Sequence, residues 1–157
     1  MVYNMQKLIL ILISLNLLGC EVDFSTKIKT GNKKIVIATD KAPEAVGPYS
    51  QGILINNTLY LAGQIALDPA TRTIISGGIK EQTKQVMENL GAVLNEAGYD
   101  FDDVVQAQVF ISDMDNYKAM NEVYTKYFDQ AHPARAAVET VLFPGALIEI
   151  MMTAQKP

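Results

Sequence analysis

From Ile79 onward, apolar or small residues fall at Thr83, Val86, Met87, Leu90, Val93, Leu94 and Ala97, and Gly98 follows. Intervals of three and four place these side chains on one face of a helix, and the glycine supplies its stop. The rest of the chain has to cover that face. Upstream, Ile35-Val36-Ile37-Ala38 reads as a β-branched strand, and Ile53-Leu54-Ile55 and Leu59-Tyr60-Leu61 flank the turn-prone Asn56-Asn57-Thr58, which predicts a hairpin. Downstream, Asp103 to Ser112 reads as a strand, and Tyr117, Met120, Val123, Tyr124 and Tyr127 mark a second helix. Its aromatic stripe reads as core packing rather than a base-stacking surface. Strands from Ala134 to Leu142 and from Leu147 to Ala154 follow, joined at Phe143-Pro144-Gly145-Ala146. The order βββαβαββ predicts an α+β domain with both helices on one face of a mixed sheet.

The N-terminus lies apart from that pattern. Lys7 precedes an apolar run from Leu8 to Leu18, and Gly19-Cys20 ends it. The run is short for a bilayer span but has the length of a secretory signal core. Leu17-Leu18-Gly19-Cys20 resembles the lipobox of bacterial lipoproteins, and Cys20 is the single cysteine of the chain. The expected organisation is therefore a signal peptide over 1–19, lipidation at Cys20, a polar tether over 20–33 and a folded domain over 34–157. That places the protein on a lipid anchor in a bacterial cell envelope, on the periplasmic or outer-membrane side; without a working signal it is cytoplasmic.

Composition removes several function classes. One cysteine excludes an internal disulfide scaffold, and one histidine and one cysteine leave only carboxylates to complete a metal site, so no metal is expected. A formal net charge of −4 opposes a basic groove for nucleic acid.

Two charged residues interrupt apolar strands: Arg135 amid Ala134, Ala136, Ala137 and Val138, and Glu149 between Ile148 and Ile150. Burying either without a partner is costly. They could face solvent, pair with each other, or serve a ligand, with Arg135 gripping a carboxylate and Glu149 orienting or deprotonating a water. Pattern alone leaves these readings open. His132, the lone histidine, reads as a loop residue.

Gly47-Pro48-Tyr49-Ser50-Gln51-Gly52, Ala62-Gly63-Gln64-Ile65, Pro133-Ala134-Arg135-Ala136-Ala137-Val138-Glu139 and Ile148-Glu149-Ile150 resemble, in order, the signatures of the Rid family. This is the RidA/YjgF group of reactive-imine deaminases. Gly77-Gly78 before Glu81-Gln82-Thr83, and Asn121 on the second helix, extend the resemblance from about Ile35 to Ala154.

The resemblance implies a chorismate-mutase-like α+β fold assembled as a homotrimer with clefts between subunits. It implies cofactor-independent hydrolysis of 2-imino acids and enamines, such as 2-aminoacrylate or 2-iminobutanoate, to 2-keto acids and ammonia. Arg135 then matches the arginine that holds the substrate carboxylate, and Glu149 the acid associated with the attacking water. Tyr49, Gly63 and Asn121 match the pocket lining. Ala137 stands where the commonest family deaminases have a cysteine, and Ala62 where a hydroxyl residue is frequent. The interval from Arg135 to Glu149 is one residue shorter than the family pattern, a deletion assigned to the Phe143–Ala146 turn because a slip within a strand would reverse its faces. The alternatives to a deaminase are a trimer that binds small carboxylates without turnover and a nuclease, which the acidic charge disfavours.

Overall fold

The computed structural model describes residues 33–157. The expected signal segment, the Cys20 lipidation site and the tether up to residue 32 lie outside the described residues. In chain order the elements are β1 (Lys34–Ile37), β2 (Gly52–Ile55), β3 (Thr58–Leu61), β4 (Gln64–Ile65), α1 (Ile79–Glu96), β5 (Val104–Ile111), α2 (Tyr117–Tyr124), β6 (Ala134–Glu139) and β7 (Ile148–Gln155). The strands form one mixed sheet in the order β1-β2-β3-β7-β5-β6, with β4 pairing alongside on β7. The β5–β6 pair is parallel and the others are antiparallel. This is the α+β arrangement expected from sequence, with one addition: the two-residue β4.

Local chemistry sets most of the boundaries. Asn56 takes a left-handed φ of 55° at the hairpin turn between β2 and β3, a conformation asparagine tolerates better than branched residues do. At the start of α1 the Gly78 N–H donates to Glu81 Oε2 at 2.9 Å, satisfying an otherwise orphaned helix amide. At its end Gly98 turns the chain with φ 77°. The helix packs against β3, β4 and β7. It buries Val86, Met87, Leu90, Val93 and Leu94 against Leu59, Leu61, Ile150 and Met152. Burying each such large aliphatic side chain contributes roughly 1.5–3 kcal/mol. α2 packs on α1, so the helices lie side by side and, among the described residues, the opposite face of the sheet carries no helix.

The strand expected to run to Leu142 stops at Glu139. Its partner β5 ends at Ile111, and the next amide, Ser112 N–H, turns away to Leu147 O. Thr140 N–H still reaches Ile111 O at 2.9 Å. Beyond it no strand among the described residues is left to pair with, and Val141 is 96% exposed. The Phe143–Ala146 turn closes with an Ala146 N–H to Phe143 O bond of 2.9 Å and a φ of 88° at Gly145. Buried Gln82 of α1 fixes this turn by donating to Gly145 O at 3.0 Å and accepting from Leu147 N–H at 2.8 Å. The register in which β7 begins, and with it the face that Glu149 takes, is thus anchored to the helix layer.

Candidate functional site

β6 is an edge strand, and Arg135 stands opposite Ala107 of β5. Ala107 is fully buried beneath the helices, so the alternation of strand faces sends Arg135 to the helix side, at the margin where α2 passes. Its Nη2 donates to Tyr117 Oη at 2.9 Å. The guanidinium carbon lies 4.7 Å from the Tyr124 ring centroid and 5.6 Å from that of Tyr117. These are cation–π distances that hold the guanidinium against two aromatic rings. No carboxylate among the described residues forms an ion pair with it. The guanidinium therefore opens, uncompensated, onto a groove of about 660 Å³ lined by Tyr117, Asn121, Tyr124, His132, Arg135 and Ala137, among others.

The electrostatics of the groove follow from these contacts. A hydrogen bond from the Asn121 side chain, followed by the positive charge of Arg135, holds the Tyr117 phenol below its ordinary pKa. Burial pushes Tyr124 up to about 12. Arg135 opposes that rise, but Tyr124 Oη is closed off from solvent without a partner in good hydrogen-bond geometry. His132 Nε2 and Thr125 Oγ1 lie 2.8 Å apart at the rim.

Glu149 occupies the other face. It stands opposite Phe110 in β5 and Ile65 in β4, between Ile148 and Ile150, both fully buried under the helices. Its carboxyl group lies against the backbone of Gly63. A Cβ at that position would collide with Oε1 and stand 2.9 Å from Cδ, so this close approach requires glycine. Asn89 of α1 holds the neighbouring chain by donating to Ile65 O at 3.2 Å and Leu67 O at 2.9 Å.

Tyr49 belongs to a third locality. It follows the Gly47-Pro48 turn, accepts the Val46 N–H at 3.4 Å, and is 48% exposed. It lines a separate hollow of about 580 Å³ with Thr39, Gln51 and Arg72. Buried Gln51 staples this hollow together, accepting from Thr39 N–H at 2.7 Å and donating to Pro43 O at 2.8 Å and Ala42 O at 3.2 Å.

The structure thus brings Arg135, Asn121 and Ala137 together in one groove and Gly63 with Glu149 on the other face, with Tyr49 in neither. The Arg135–Glu149 ion pair left open by the sequence does not form within the chain. Tyr124, read from sequence as core packing, does lie in the core and also neighbours Arg135, whereas Tyr117, read the same way, lines the groove instead. Tyr117 lies four residues before Asn121, so both project from one side of α2.

Residues 39–156 match the family model described as Endoribonuclease L-PSP. A RutC family protein of Pyrococcus horikoshii is 49% identical over 124 residues, covering 78% of this chain and 98% of its own. The 2-iminobutanoate/2-iminopropanoate deaminase of Homo sapiens is 45% identical over 116 residues, covering 73% of this chain and 85% of its own. Among solved structures, an endoribonuclease-like protein of Thermotoga maritima superposes with a TM-score of 0.77 at 42% identity, covering 80% of this chain and 99% of that one. Escherichia coli TdcF with bound serine superposes with a TM-score of 0.74 at 31% identity, covering 78% and 99%.

Proposed function

Because this chain belongs to the Rid/RutC family, the group carrying the L-PSP description, we propose that it hydrolyses 2-imino acids and their enamine tautomers to 2-keto acids and ammonia. The observation that carries the reading is the Arg135 guanidinium, held against two tyrosine rings, open to a groove and without a carboxylate partner among the described residues. A planar fork of N–H donors in that setting suits a small carboxylate.

The chemistry asks little beyond alignment. With the substrate carboxylate on Arg135, the imine carbon is already electrophilic, more so once its nitrogen is protonated. Glu149 takes a proton from water as the oxygen–carbon bond forms. The same proton then passes to the nitrogen, Glu149 takes the carbinolamine hydroxyl proton as the carbon–nitrogen bond breaks, and the 2-keto acid is released with ammonia, which carries that proton away as ammonium. Orienting water and imine can supply much of the acceleration.

Arg135 and Glu149 on opposite faces of one sheet are compatible with this role when two copies meet, each offering one face. The sheet face opposite α1 and α2 also exposes Val36, Tyr60 and Val138 to 60%, 51% and 47%, a surface that association would cover. The assembly in this reading is a homotrimer with the site in each interface. Light scattering giving three monomer masses supports it, and a monomer with full activity removes it. Export with lipid attachment at Cys20 belongs to the same proposal. Palmitate labelling that is lost in Cys20→Ala tests it, and equal labelling of both proteins rejects it.

The decisive experiment is turnover of freshly generated 2-aminoacrylate and 2-iminobutanoate by the purified protein. Carboxylate binding without turnover in the wild type would reduce the protein to a non-catalytic small-carboxylate binder.

A further inference from the structure

The groove at Arg135 contains a phenol that is already an acceptor and has its own proton to give. Tyr117 Oη accepts a hydrogen bond from Arg135 Nη2 at 2.9 Å. A phenol oxygen offers two lone pairs and one proton. With Arg135 donating to one lone pair, Tyr117 keeps its own O–H to donate. Among the described residues that O–H donates to no acceptor.

The neighbouring hydroxyl of Tyr124 is also without a partner but is closed off from solvent. Tyr117 is 36% exposed and lines the open groove. The charged donor on Oη also polarises the O–H bond and makes it a better donor. The acceptor it awaits has to come from a ligand. Beside an uncompensated guanidinium, an anionic oxygen is the favoured one.

We infer that Tyr117 donates its phenolic hydrogen bond to a carboxylate oxygen of the ligand held by Arg135, which makes it a specificity-determining residue for α-carboxylates over uncharged analogues. The naming of that ligand as a 2-imino or 2-keto acid rests on the reading above. Arg135 and Tyr117 then form one cradle, in which the charge attracts the carboxylate and the phenol contributes a further directed donor.

The test uses the intact protein, its Tyr117→Phe variant, and two ligands of matched shape, pyruvate and its neutral amide. Binding is read by calorimetry or competition, and turnover by hydrolysis of 2-iminobutanoate. Tyr117→Phe is expected to weaken pyruvate binding about tenfold. It should raise KM similarly, leave kcat within about threefold, and leave amide binding and melting temperature unchanged. Pyruvate affinity equal to wild type, or equal loss for pyruvate and amide, overturns the inference, as does a wild-type protein that binds no pyruvate. A wild type that hydrolyses no imino acid, yet loses pyruvate affinity on Tyr117→Phe, upholds the cradle and rejects the deaminase reading. Turnover by a wild type whose Tyr117→Phe variant binds pyruvate normally does the reverse.

Discussion

Arg135 and Glu149 stand on opposite faces of the same sheet. Arg135 registers with Ala107 of β5, Glu149 registers with Phe110 of the same strand, and positions three apart on a strand point to opposite sides. Two groups assigned to one reaction centre therefore cannot meet around one substrate within one copy. The expected outcome is complementation. Arg135→Ala and Glu149→Gln proteins, each impaired alone, should regain activity when unfolded and reassembled together. Random mixing leaves both groups intact in about one quarter of the interfaces of a closed ring. Recovery near that fraction of wild-type activity supports a site shared between copies, and no recovery argues that each copy works alone.

Gly63 lets the Glu149 carboxyl group lie directly on the backbone. In Gly63→Ala the new methyl competes with Oε1 and Cδ, and the cheapest relief is rotation of the glutamate away from its place. Fold stability should change by less than about 1 kcal/mol, because the displaced group is the end of a flexible side chain. Activity should fall on the order of a hundredfold, as expected for a misplaced catalytic group. Parallel melting curves and kcat measurements check the contrast. A large drop in melting temperature with normal kcat would refute it.

The unpartnered hydroxyl of Tyr124 makes a pH-dependent prediction. Its pKa is pushed up to about 12 by burial, against the ordinary value of about 10 in the unfolded chain. Between those values the unfolded state holds fewer protons than the folded state. The stability contribution of this group is thus fully present below about pH 10 and is lost as pH rises toward about 12. Tyr124→Phe should flatten that part of the stability–pH curve. Below pH 9 it should leave stability unchanged or raise it by up to about 1 kcal/mol, since it deletes a buried polar group that lacks a partner. Urea melts at pH 8 and pH 11 measure both effects. A variant markedly less stable at pH 8 would show that the hydroxyl has a partner.

How much of this was legible beforehand depends on the side-chain contrast along each element. Helix α1 was readable because its apolar face repeats over eighteen residues between a glycine pair and Gly98. The face of Glu149 was readable too, because Ile148 and Ile150 on either side commit β7 to one orientation. Arg135 offers no such contrast. Ala134, Ala136 and Ala137 are small enough for either face, so only the pairing with Ala107 decides its direction. β4 escaped notice because two residues carry no period, and its pairing with β7 is held by long-range contacts from Asn89. Tyr117 escaped notice for another reason. A stripe of tyrosines at helical spacing gives the same signal whether it packs into a core or lines a groove, and the difference lies with Arg135 across from it.

That arginine also gives the sharpest separation of catalysis from packing. Arg135 combines a bidentate fork, a hydrogen bond to Tyr117 and stacking over Tyr124. Lysine keeps the charge but offers neither the fork nor the planar stacking surface. Arg135→Lys and Arg135→Ala should therefore both lose imine hydrolysis, by about 2–4 kcal/mol, or on the order of tenfold to a thousandfold in kcat/KM. Both should keep the oligomeric state, since no carboxylate among the described residues depends on this cation. Glu149→Gln should lower kcat while leaving 2-keto acid binding largely intact, because its proposed role concerns water rather than the substrate charge. A purely structural Arg135 predicts the opposite pattern, in which melting temperature falls and kcat/KM of the surviving folded protein does not. If Arg135→Ala hydrolyses 2-aminoacrylate at the wild-type rate, the proposed carboxylate site is wrong.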